Sequence, residues 1–461
     1  MMAEISNFIW DALVYILVGF GLFFTVASRG LQFRFFRRMV GILKISESKS
    51  GRVSSYQAVM LSIGGRVGSG NIVGVALAIT YGGPGAVFWM WVVAALGMAT
   101  AFYESTLAQA FKQKEGDDFR GGPAYYIRYG LGIKWNWMAG LYSILLLITF
   151  GYAFVAVQSF SIASSFSSTF DVPPHMTGLG IMFLTGVVVF GGVRRIVHFT
   201  DLMVPIMALG YVLCAFYIIG MHIEMVPDVI SNIFVSAFSP DAAIGGGIGA
   251  TIMYGVQRGL FSNEAGLGSA ANVAATADVD HPAEQGLAQA LTVFIDTIIM
   301  CSATAFIILL STSYVPGVEG VDGLLLTQTA LTEHIGPYAG TFLAIALFFF
   351  VITSIIYNYY MGETALDFFS GENKLAFNMF RISLLGTIYY SAQQDLESVL
   401  SFNTLTMGVI ALVNLLALGL LYKVGRRLLM DFESQIEDGV EEPKFNAANF
   451  SDLDLDKKVW K

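Results

Sequence analysis

A glycine-rich interruption lies in the middle of an apolar segment that runs from about residue 56 to residue 81. It reads Gly-Gly-Arg-Val-Gly-Ser-Gly-Asn at residues 64–71. The segment is long enough to cross a bilayer as one helix, which takes about 20 apolar residues. Each glycine costs about 1 kcal/mol relative to alanine in a helix interior, so the glycines predict a break. Unwound backbone inside a bilayer is tolerated only where it is buried in protein or lines a wet cavity.

A second stretch, at residues 255–268, has the same features. It reads Gly-Val-Gln-Arg-Gly-Leu-Phe-Ser-Asn-Glu-Ala-Gly-Leu-Gly. In each stretch an arginine precedes an asparagine by five residues, as Arg66 precedes Asn71 and Arg258 precedes Asn263. Two glycine-interrupted membrane segments at corresponding places in two halves of a chain are the best sequence indication of a secondary transporter's binding site. The pattern therefore predicts a transport site at two helix breaks.

The composition is that of an integral membrane protein. Hydrophobic residues make up 55% of the 461 residues and charged residues 13%, with a mean hydropathy of +0.66. A soluble domain carries about 25% charged residues. We therefore expect an all-α membrane protein that is surrounded by a lipid bilayer and binds no nucleic acid.

About eleven apolar spans follow one another along the chain. They lie near residues 8–28, 57–81, 85–111, 136–166, 176–192, 200–222, 243–275, 285–312, 338–362, 376–391 and 402–424. Lys and Arg follow spans one, three, five, nine and eleven, whereas the loops after the even-numbered spans contain none. Positive residues remain on the cytoplasmic side. We therefore expect a multi-pass protein of the cell (inner) membrane with its N-terminus outside and its C-terminus in the cytoplasm.

The spacing of the two interrupted spans predicts an inverted repeat. The second lies five spans after the first, and an odd number of spans per half reverses the orientation of the second half. We divide the chain into an extra N-terminal helix with an amphipathic cytoplasmic linker (1–52), a first five-helix repeat (53–222), a second, inverted five-helix repeat (243–424) and a cytoplasmic tail (425–461). The polar tail, from about Asp431, is expected to be partly disordered.

Several motifs resemble the alanine or glycine:cation symporter family. Besides residues 64–71, they are Gly-Gly-Pro-Gly-Ala-Val-Phe-Trp-Met-Trp at 82–91, Glu-Ser-Thr-Leu-Ala at 104–108, Phe-Arg-Gly-Gly-Pro-Ala-Tyr-Tyr at 119–126 and Gly-Leu-Phe-Ser-Asn-Glu-Ala-Gly-Leu-Gly-Ser-Ala at 259–270. The resemblance covers roughly residues 50 to 425. It implies the leucine-transporter-type 5+5 inverted-repeat fold of the amino acid–polyamine–organocation superfamily, and sodium-coupled uptake of alanine or glycine. We expect no cofactor apart from the coupling ion Na⁺, and a monomer as the functional unit.

The first break offers a place for the carboxylate of an amino acid. After Gly68 the helix restarts, so the amides of Ser69, Gly70 and Asn71 are candidate donors, and the helix dipole also attracts an anion. Alternatively, Gly70 and Gly74 could form a small-residue face for close helix packing. A nucleotide-binding loop is excluded because the glycine spacing is wrong, no strand precedes it and no Lys-Ser/Thr follows.

Charged residues at membrane depth are costly and need partners. Arg66 could contact the substrate carboxylate, or it could be a structural partner of Glu104, Glu264 or Asp296. For Arg258 the structural role is the stronger expectation. Asp296 is expected to pair with an arginine, and a proton-linked role is the alternative.

The second break is predicted to hold the ammonium group of the substrate. We place the end of its first half-helix at Tyr254, Gly255, Val256 and Gln257, where freed carbonyl groups would face a cation. Phe261, just beyond, could cap the pocket or could be simple packing.

The family resemblance implies further site residues. Gln158, an amide in an apolar run, corresponds to a substrate contact, whereas Phe160 stands where a polar asparagine is expected. Sodium prefers hard oxygen ligands, which the related fold provides from the first broken helix and from a later span. The corresponding residues are Gly64, Val67, Phe350, Thr353 and Ser354. Alternatively, the Thr and Ser hydroxyls bond back to their own helix.

Sodium-coupled symport of a small neutral amino acid by alternating access is the leading interpretation, and proton coupling is the alternative. A channel would need repeated filter rings, which two different breaks do not supply. An enzyme would need a nucleophile–base pair or a histidine cluster. The five histidines lie at predicted loops and span ends, scattered and unpaired: His175, His198, His222, His281 and His334. We therefore expect no enzymatic activity.

Overall fold

The computed structural model of the protein is built almost entirely from helices. It describes residues 2–42, 52–116, 118–191, 193–239, 247–315, 323–371 and 373–460. The α-helices are α1 Met2–Ala27, α2 Leu31–Arg34, α3 Phe36–Ile42, α4 Ser55–Arg66, α5 Val73–Gly82, α6 Gly85–Ala110, α7 Pro123–Tyr125, α8 Asn136–Ile148, α9 Val155–Phe170, α10 Pro174–Val189, α11 Val193–Met221, α12 Val226–Ser236, α13 Gly247–Asn263, α14 Ser269–Thr276, α15 Pro282–Val293, α16 Ser302–Leu309, α17 Gly323–Ile335, α18 Ala339–Ser370, α19 Lys374–Ser391 and α20 Leu396–Glu437.

Shorter elements complete the chain. The 3₁₀ turns are Ser69–Asn71, Ile133–Trp135, Gly336–Tyr338 and Ala447–Phe450, and the π-helical segments are Tyr126–Gly130, Thr149–Phe154 and Phe294–Cys301. Strands β1 Gln113–Glu115 and β2 Asp118–Arg120 form an antiparallel hairpin in which Lys114 pairs with Phe119.

The helices match the eleven predicted spans. Among the described residues, seven segments are long and apolar enough to cross a membrane, and the bent pair α4–α5 makes an eighth. The three remaining predicted spans correspond to α10, the pair α13–α14, and α19. The prediction of an all-α membrane fold is confirmed. The interrupted spans are packed from two sides, because α6 lies along α13, α14 and α15, and α18 lies along α4, α8 and α9.

The tail differs from the sequence prediction. Helix α20 continues without a break to Glu437, so the boundary placed at 424/425 falls inside a helix. Beyond it the chain folds back, and Phe445, Phe450 and Trp460 are buried. The expectation of a partly disordered end from about Asp431 is therefore wrong. Three aromatic side chains within a polar segment provide enough apolar surface to anchor it.

Candidate functional site

The first helix break lies where the sequence predicts it. Helix α4 ends at Arg66, a 3₁₀ turn follows at Ser69–Asn71, and α5 is bent by 59° relative to α4. Because Gly68 has left the helix, its amide needs another acceptor. It donates to Oδ1 of Asn71 at 2.9 Å, so the side chain of Asn71 caps the restarted helix.

Glycine is required at this break because neighbouring side chains approach the backbone closely. A Cβ at Gly65 would lie 2.2 Å from the ring of Tyr357 on α18. A Cβ at Gly68 would lie 2.7 Å from Nε2 of Gln158 on α9 and 3.1 Å from Oγ of Ser354 on α18. The glycines therefore allow α9 and α18 to contact the unwound backbone directly.

The structure brings two of the predicted substrate contacts together. The amide of Ser69 donates to Oε1 of Gln158 at 2.9 Å. The hydroxyl of Ser69 is buried and has no hydrogen-bond partner among the described residues. A buried polar group without a partner costs about 1–3 kcal/mol. The Ser69 hydroxyl is thus a donor that a carboxylate could satisfy, and the Ser69 amide could join it only if Gln158 released it.

The second break lies further along the chain than predicted. Helix α13 is continuous from Gly247 to Asn263, and the break occupies residues 264–268. Glu264, Gly266 and Gly268 have positive φ angles of 56°, 108° and 76°, which end the helix sharply. A glutamate in this conformation is uncommon, whereas glycine adopts it readily.

The placement of the half-helix end at Tyr254, Gly255, Val256 and Gln257 is therefore wrong. These four residues lie inside α13, where the helix itself uses the carbonyl groups. A Cβ at Gly255 would lie 2.6 Å from the carbonyl oxygen of Ala86, so this glycine permits close packing of α13 on α6. The Gly-x-Gly pattern at residues 266–268, where both glycines have positive φ, was the better sequence signal for the helix break. Gly255 was ambiguous, because close helix packing also selects glycine.

Asp296 joins the two breaks. It lies in the π-helical segment Phe294–Cys301, a type of segment that is frequent at functional sites. Its carboxylate accepts hydrogen bonds from Asn71 Nδ2 at 2.7 Å, from Ser262 Oγ at 2.7 Å and from Thr297 Oγ1 at 2.8 Å. Asn71 Nδ2 also donates to Ser262 Oγ at 3.0 Å.

The predicted pairing of Asp296 with an arginine is wrong. Within the described part of the chain, Asp296 forms no ion pair at 4 Å or less, and its carboxylate accepts from the neutral side chains of Asn71, Ser262 and Thr297 instead. The sequence placed this acid at membrane depth, but only the fold shows that it contacts Asn71 and Ser262.

Arg66 is buried against α15, and it forms no ion pair at 4 Å or less among the described residues. Its Nη1 donates to the carbonyl oxygen of Gln289 at 3.3 Å and to the hydroxyl of Thr292. Its Nε and Nη2 have no hydrogen-bond partner among the described residues. Glu104 and Glu264 accept hydrogen bonds from neutral side chains instead. Because Nε and Nη2 are unpaired in the described part of the chain, the contact between Arg66 and the substrate carboxylate stays a prediction.

The two hydroxyls of the predicted sodium site lie beside the first break. Ser354 Oγ donates to the carbonyl oxygen of Gly65 at 2.9 Å. Thr353 Oγ1 donates to the Phe350 carbonyl of its own helix at 3.1 Å, as the structural alternative expects, and a Cβ at Gly64 would lie 3.4 Å from Cβ of Thr353. The fold brings α4 and α18 together as the prediction requires, and sodium binding itself stays a prediction.

Two aromatic rings cover the junction of the breaks. Phe261, at the end of α13, is buried and stacks on Phe154 at a centroid distance of 5.1 Å. A Cβ at Gly70 would lie 3.0 Å from the Phe261 ring. The ring therefore limits the space between the breaks.

Three of the five histidines have partners that the sequence did not indicate. His222 Nε2 lies 3.1 Å from His334 Nδ1, and His281 Nε2 lies 3.1 Å from Asp431 Oδ2. The description of the histidines as unpaired is therefore wrong. No group of three or more His, Cys, Asp or Glu side chains suited to a metal occurs among the described residues.

The fold is that of leucine-transporter-type secondary transporters. It is similar to the crystal structure of MhsT in complex with L-phenylalanine, with a TM-score of 0.56, 13% sequence identity, and coverage of 83% of this chain and 99% of that chain. An irregular pair of helices that meet inside such a fold is typical of the transport site.

Sequence comparison then defines the family. The profile of the sodium:alanine symporter family matches residues 1–447. The amino-acid carrier protein AlsT of Bacillus subtilis (strain 168) is 46% identical over 448 residues, which cover 97% of this chain and 95% of AlsT. The probable sodium/glutamine symporter GlnT of the same organism is 42% identical over 444 residues, 95% of this chain and 91% of GlnT. The chain belongs to the sodium:alanine symporter family, and it is a multi-pass membrane transporter rather than an enzyme.

Proposed function

We propose that the protein couples the inward movement of sodium to the uptake of a small neutral amino acid, alanine or glycine, by alternating access. The observation that supports this most directly is the meeting of the two helix breaks through Asn71, Ser262 and Asp296. An amino-acid zwitterion needs donors and acceptors within a few ångströms of each other, and the ends of two broken helices supply both.

The carboxylate would lie at the first break. The Ser69 hydroxyl and the amides of Ser69 and Gly70 would donate to it, and Gln158 would release Ser69 to do so. The ammonium would lie at the C-terminal end of α13, where the helix ends at Asn263 and the last carbonyl groups lack amide partners in the next turn. This position replaces the one expected at residues 254–257.

The substrate would be small. Phe261 is held between Phe154 and the backbone of Gly70, so enlarging the space would require several packed elements to move. Overpacking a close-packed interior costs about 1–3 kcal/mol. Glutamine is the second candidate, because a relative at 42% identity is named a probable sodium/glutamine symporter.

The coupling sodium would bind between α4 and α18. The carbonyl groups of Gly64, Val67 and Phe350 and the hydroxyls of Thr353 and Ser354 would hold it, after Thr353 Oγ1 turns from its own helix. Replacing Ser354 by Ala should raise the sodium concentration for half-maximal uptake about 5- to 150-fold, the equivalent of about 1–3 kcal/mol.

Uptake of radiolabelled alanine into proteoliposomes tests the proposal. We expect accumulation with an inward sodium gradient and none when choline replaces sodium, and unlabelled glycine should compete. Equal uptake in choline would refute sodium coupling, and accumulation driven only by a pH gradient would establish the proton alternative. Stronger competition by glutamine than by glycine would reassign the substrate. Ser383→Ala, on α19, is a matched control for Ser354→Ala.

A further inference from the structure

The segment after α20, residues 438–460, folds back over one end of the helix bundle and is called here the C-terminal strap. It turns at Gly439, where φ is 83°, and it has an aromatic core of its own. The ring of Phe445 lies 5.0 Å from that of Phe450 and 5.0 Å from that of Trp460, and all three side chains are buried. The packing of these three aromatic side chains therefore holds the strap in place, in addition to its surface ion pairs.

The middle of the strap is attached to the loop between α14 and α15, residues 277–281. The amide of Phe445 donates to the carbonyl oxygen of Asp280 at 2.9 Å. The ring of His281, which is fully buried, packs on Phe445 at 5.7 Å, and its Nε2 lies 3.1 Å from Oδ2 of Asp431 on α20. The strap and the end of α20 thus hold this loop from two sides.

That loop joins the half-helices of both breaks. It directly follows α14, the second half of the second broken helix. Its Asp278 amide donates to the carbonyl oxygen of Val53 at 3.0 Å, just before α4, the first half of the first broken helix. A movement of either half-helix on this side of the membrane, which is cytoplasmic in the predicted topology, must therefore displace the loop.

The end of the strap covers a buried lysine. Trp460 Nε1 donates to the carbonyl oxygen of Ala110 at the end of α6. Lys112 Nζ lies 5.1 Å from the Trp460 ring centre and 4.1 Å from that of Phe119, and it donates to the carbonyl oxygen of Ala277 at 2.7 Å. Trp460 therefore closes a cation–π cage that ties the end of α6 to the end of α14.

The strap is also fastened to helices outside this group. Arg427 on α20 forms a two-pronged ion pair with Asp452 at 2.6 and 2.9 Å. Arg38 on α3 donates to the carbonyl oxygen of Glu441 at 2.6 Å. Helix α20 packs along α1, and α6 packs along α1, α13, α14 and α15 and also contacts α20. The strap therefore connects α3 and α20 to the loop at residues 277–281 and to the end of α6.

We propose that the C-terminal strap is a latch that keeps the transport site closed on this side of the membrane and must release before the site opens there. Opening requires helices on this side of the membrane to move against one another, and that movement breaks the strap contacts to the loop at residues 277–281 and to Ala110. The latch slows opening and so limits the rate of transport. The proposal rests on alternating access, as proposed above.

Cys301 provides a readout that needs no substrate. It is buried between the breaks, with Sγ 3.1 Å from Ser262 Oγ, so it becomes reactive only when a path to the site opens. The experiment uses inside-out membrane vesicles that contain the full chain with Cys214→Ser, which leaves Cys301 as the single thiol. A membrane-impermeant maleimide is added to the vesicles, and the rate of Cys301 alkylation is measured.

Trp460→Ala should raise the alkylation rate about fivefold, the effect of losing one hydrogen bond, and should raise the initial rate of alanine uptake. Asp456→Asn is the milder second variant, because Asp456 Oδ2 accepts the Lys114 amide at 2.9 Å. Asp454→Asn, at a strap carboxylate close by in the sequence, is the control. Unchanged or slower alkylation in both variants, with a melting temperature equal to the parent's, would overturn the latch. Because alkylation needs neither sodium nor amino acid, its result is independent of the proposed substrate and coupling ion.

Discussion

The two helix breaks differ in how their backbone groups are satisfied. At the first break, Gly68 is capped by Asn71, and the Ser69 hydroxyl has no partner among the described residues. At the second break, the carbonyl oxygen of Gly266 accepts from Asn414 at 2.9 Å and that of Leu267 accepts from Tyr142 at 2.8 Å. The first break keeps the Ser69 hydroxyl available, whereas Asn414 and Tyr142 from distant helices occupy the carbonyl groups of the second break.

This difference shows that the two halves are not equivalent. An unsatisfied buried donor is costly, so a ligand that accepts its hydrogen bond gains free energy on binding. A break whose carbonyl groups already accept hydrogen bonds from neighbouring side chains is suited to a structural role. In the second region, we expect the end of α13, next to Phe261 and Ser262, to contact the ligand. The comparison can be tested by changing one region at a time.

The largest effect is expected at the first break. Gly65→Ala would place a Cβ 2.2 Å from the Tyr357 ring, so α4 and α18 would have to separate. We expect alanine uptake to be abolished and the melting temperature to fall, since overpacking costs about 1–3 kcal/mol. Gly180→Ala is the control, because a Cβ there meets nothing within 4 Å. Normal uptake by Gly65→Ala would mean that the close approach of Tyr357 is not needed.

The next largest effect is expected where the two regions meet. Asp296→Asn removes a carboxylate that accepts from Asn71, Ser262 and Thr297. Hydrogen bonds to charged groups contribute about 1.5–3 kcal/mol, so we expect the rate of alanine uptake at low substrate to fall about 10- to 150-fold. Asp228→Asn, in α12, is the control. Uptake kinetics equal to the parent's would show that the breaks are positioned without Asp296.

A moderate effect is expected from the glycine that packs α13 on α6. Gly255→Ala would place a Cβ 2.6 Å from the Ala86 carbonyl oxygen. Because this contact lies away from the breaks, alanine and glycine uptake should fall by the same factor, together with the melting temperature. A selective loss of alanine uptake would instead return residue 255 to the substrate site.

The smallest effect concerns the loop under the C-terminal strap. Burial lowers the pKa of His281 below its ordinary value, although Asp431 opposes the shift. An unfolded histidine, with a pKa near 6.5, then binds a proton more readily than the folded one. The contribution of His281 to the free energy of unfolding is therefore fully present above about pH 6.5, and it is lost as the pH falls below that value. The melting temperature should fall between pH 7.5 and 5.5 by less in His281→Gln than in the parent, and identical slopes would contradict this assignment.

Local sequence patterns were enough to predict the membrane spans, the first helix break and the family. Apolar runs report where a chain can cross a bilayer, and the eleven predicted spans have counterparts in the helices. The first break was predicted because glycines at 64, 65, 68 and 70 are unfavourable in a helix interior. The family motifs at the first break and at residues 259–270 agree with the family match.

Tertiary structure decided the rest, because partners far apart in sequence leave no local pattern. Glycine at 255 and glycine at 268 look alike in the sequence, but the first permits helix packing and the second ends a half-helix with a positive φ. The proximity of Asp296 to Asn71 depends on two helices whose residues are separated by 225 positions. The burial of Trp460 likewise depends on α6, so a polar composition alone misrepresented an ordered segment. Composition reports the average environment of a segment, whereas the contacts of a single side chain depend on how distant helices pack.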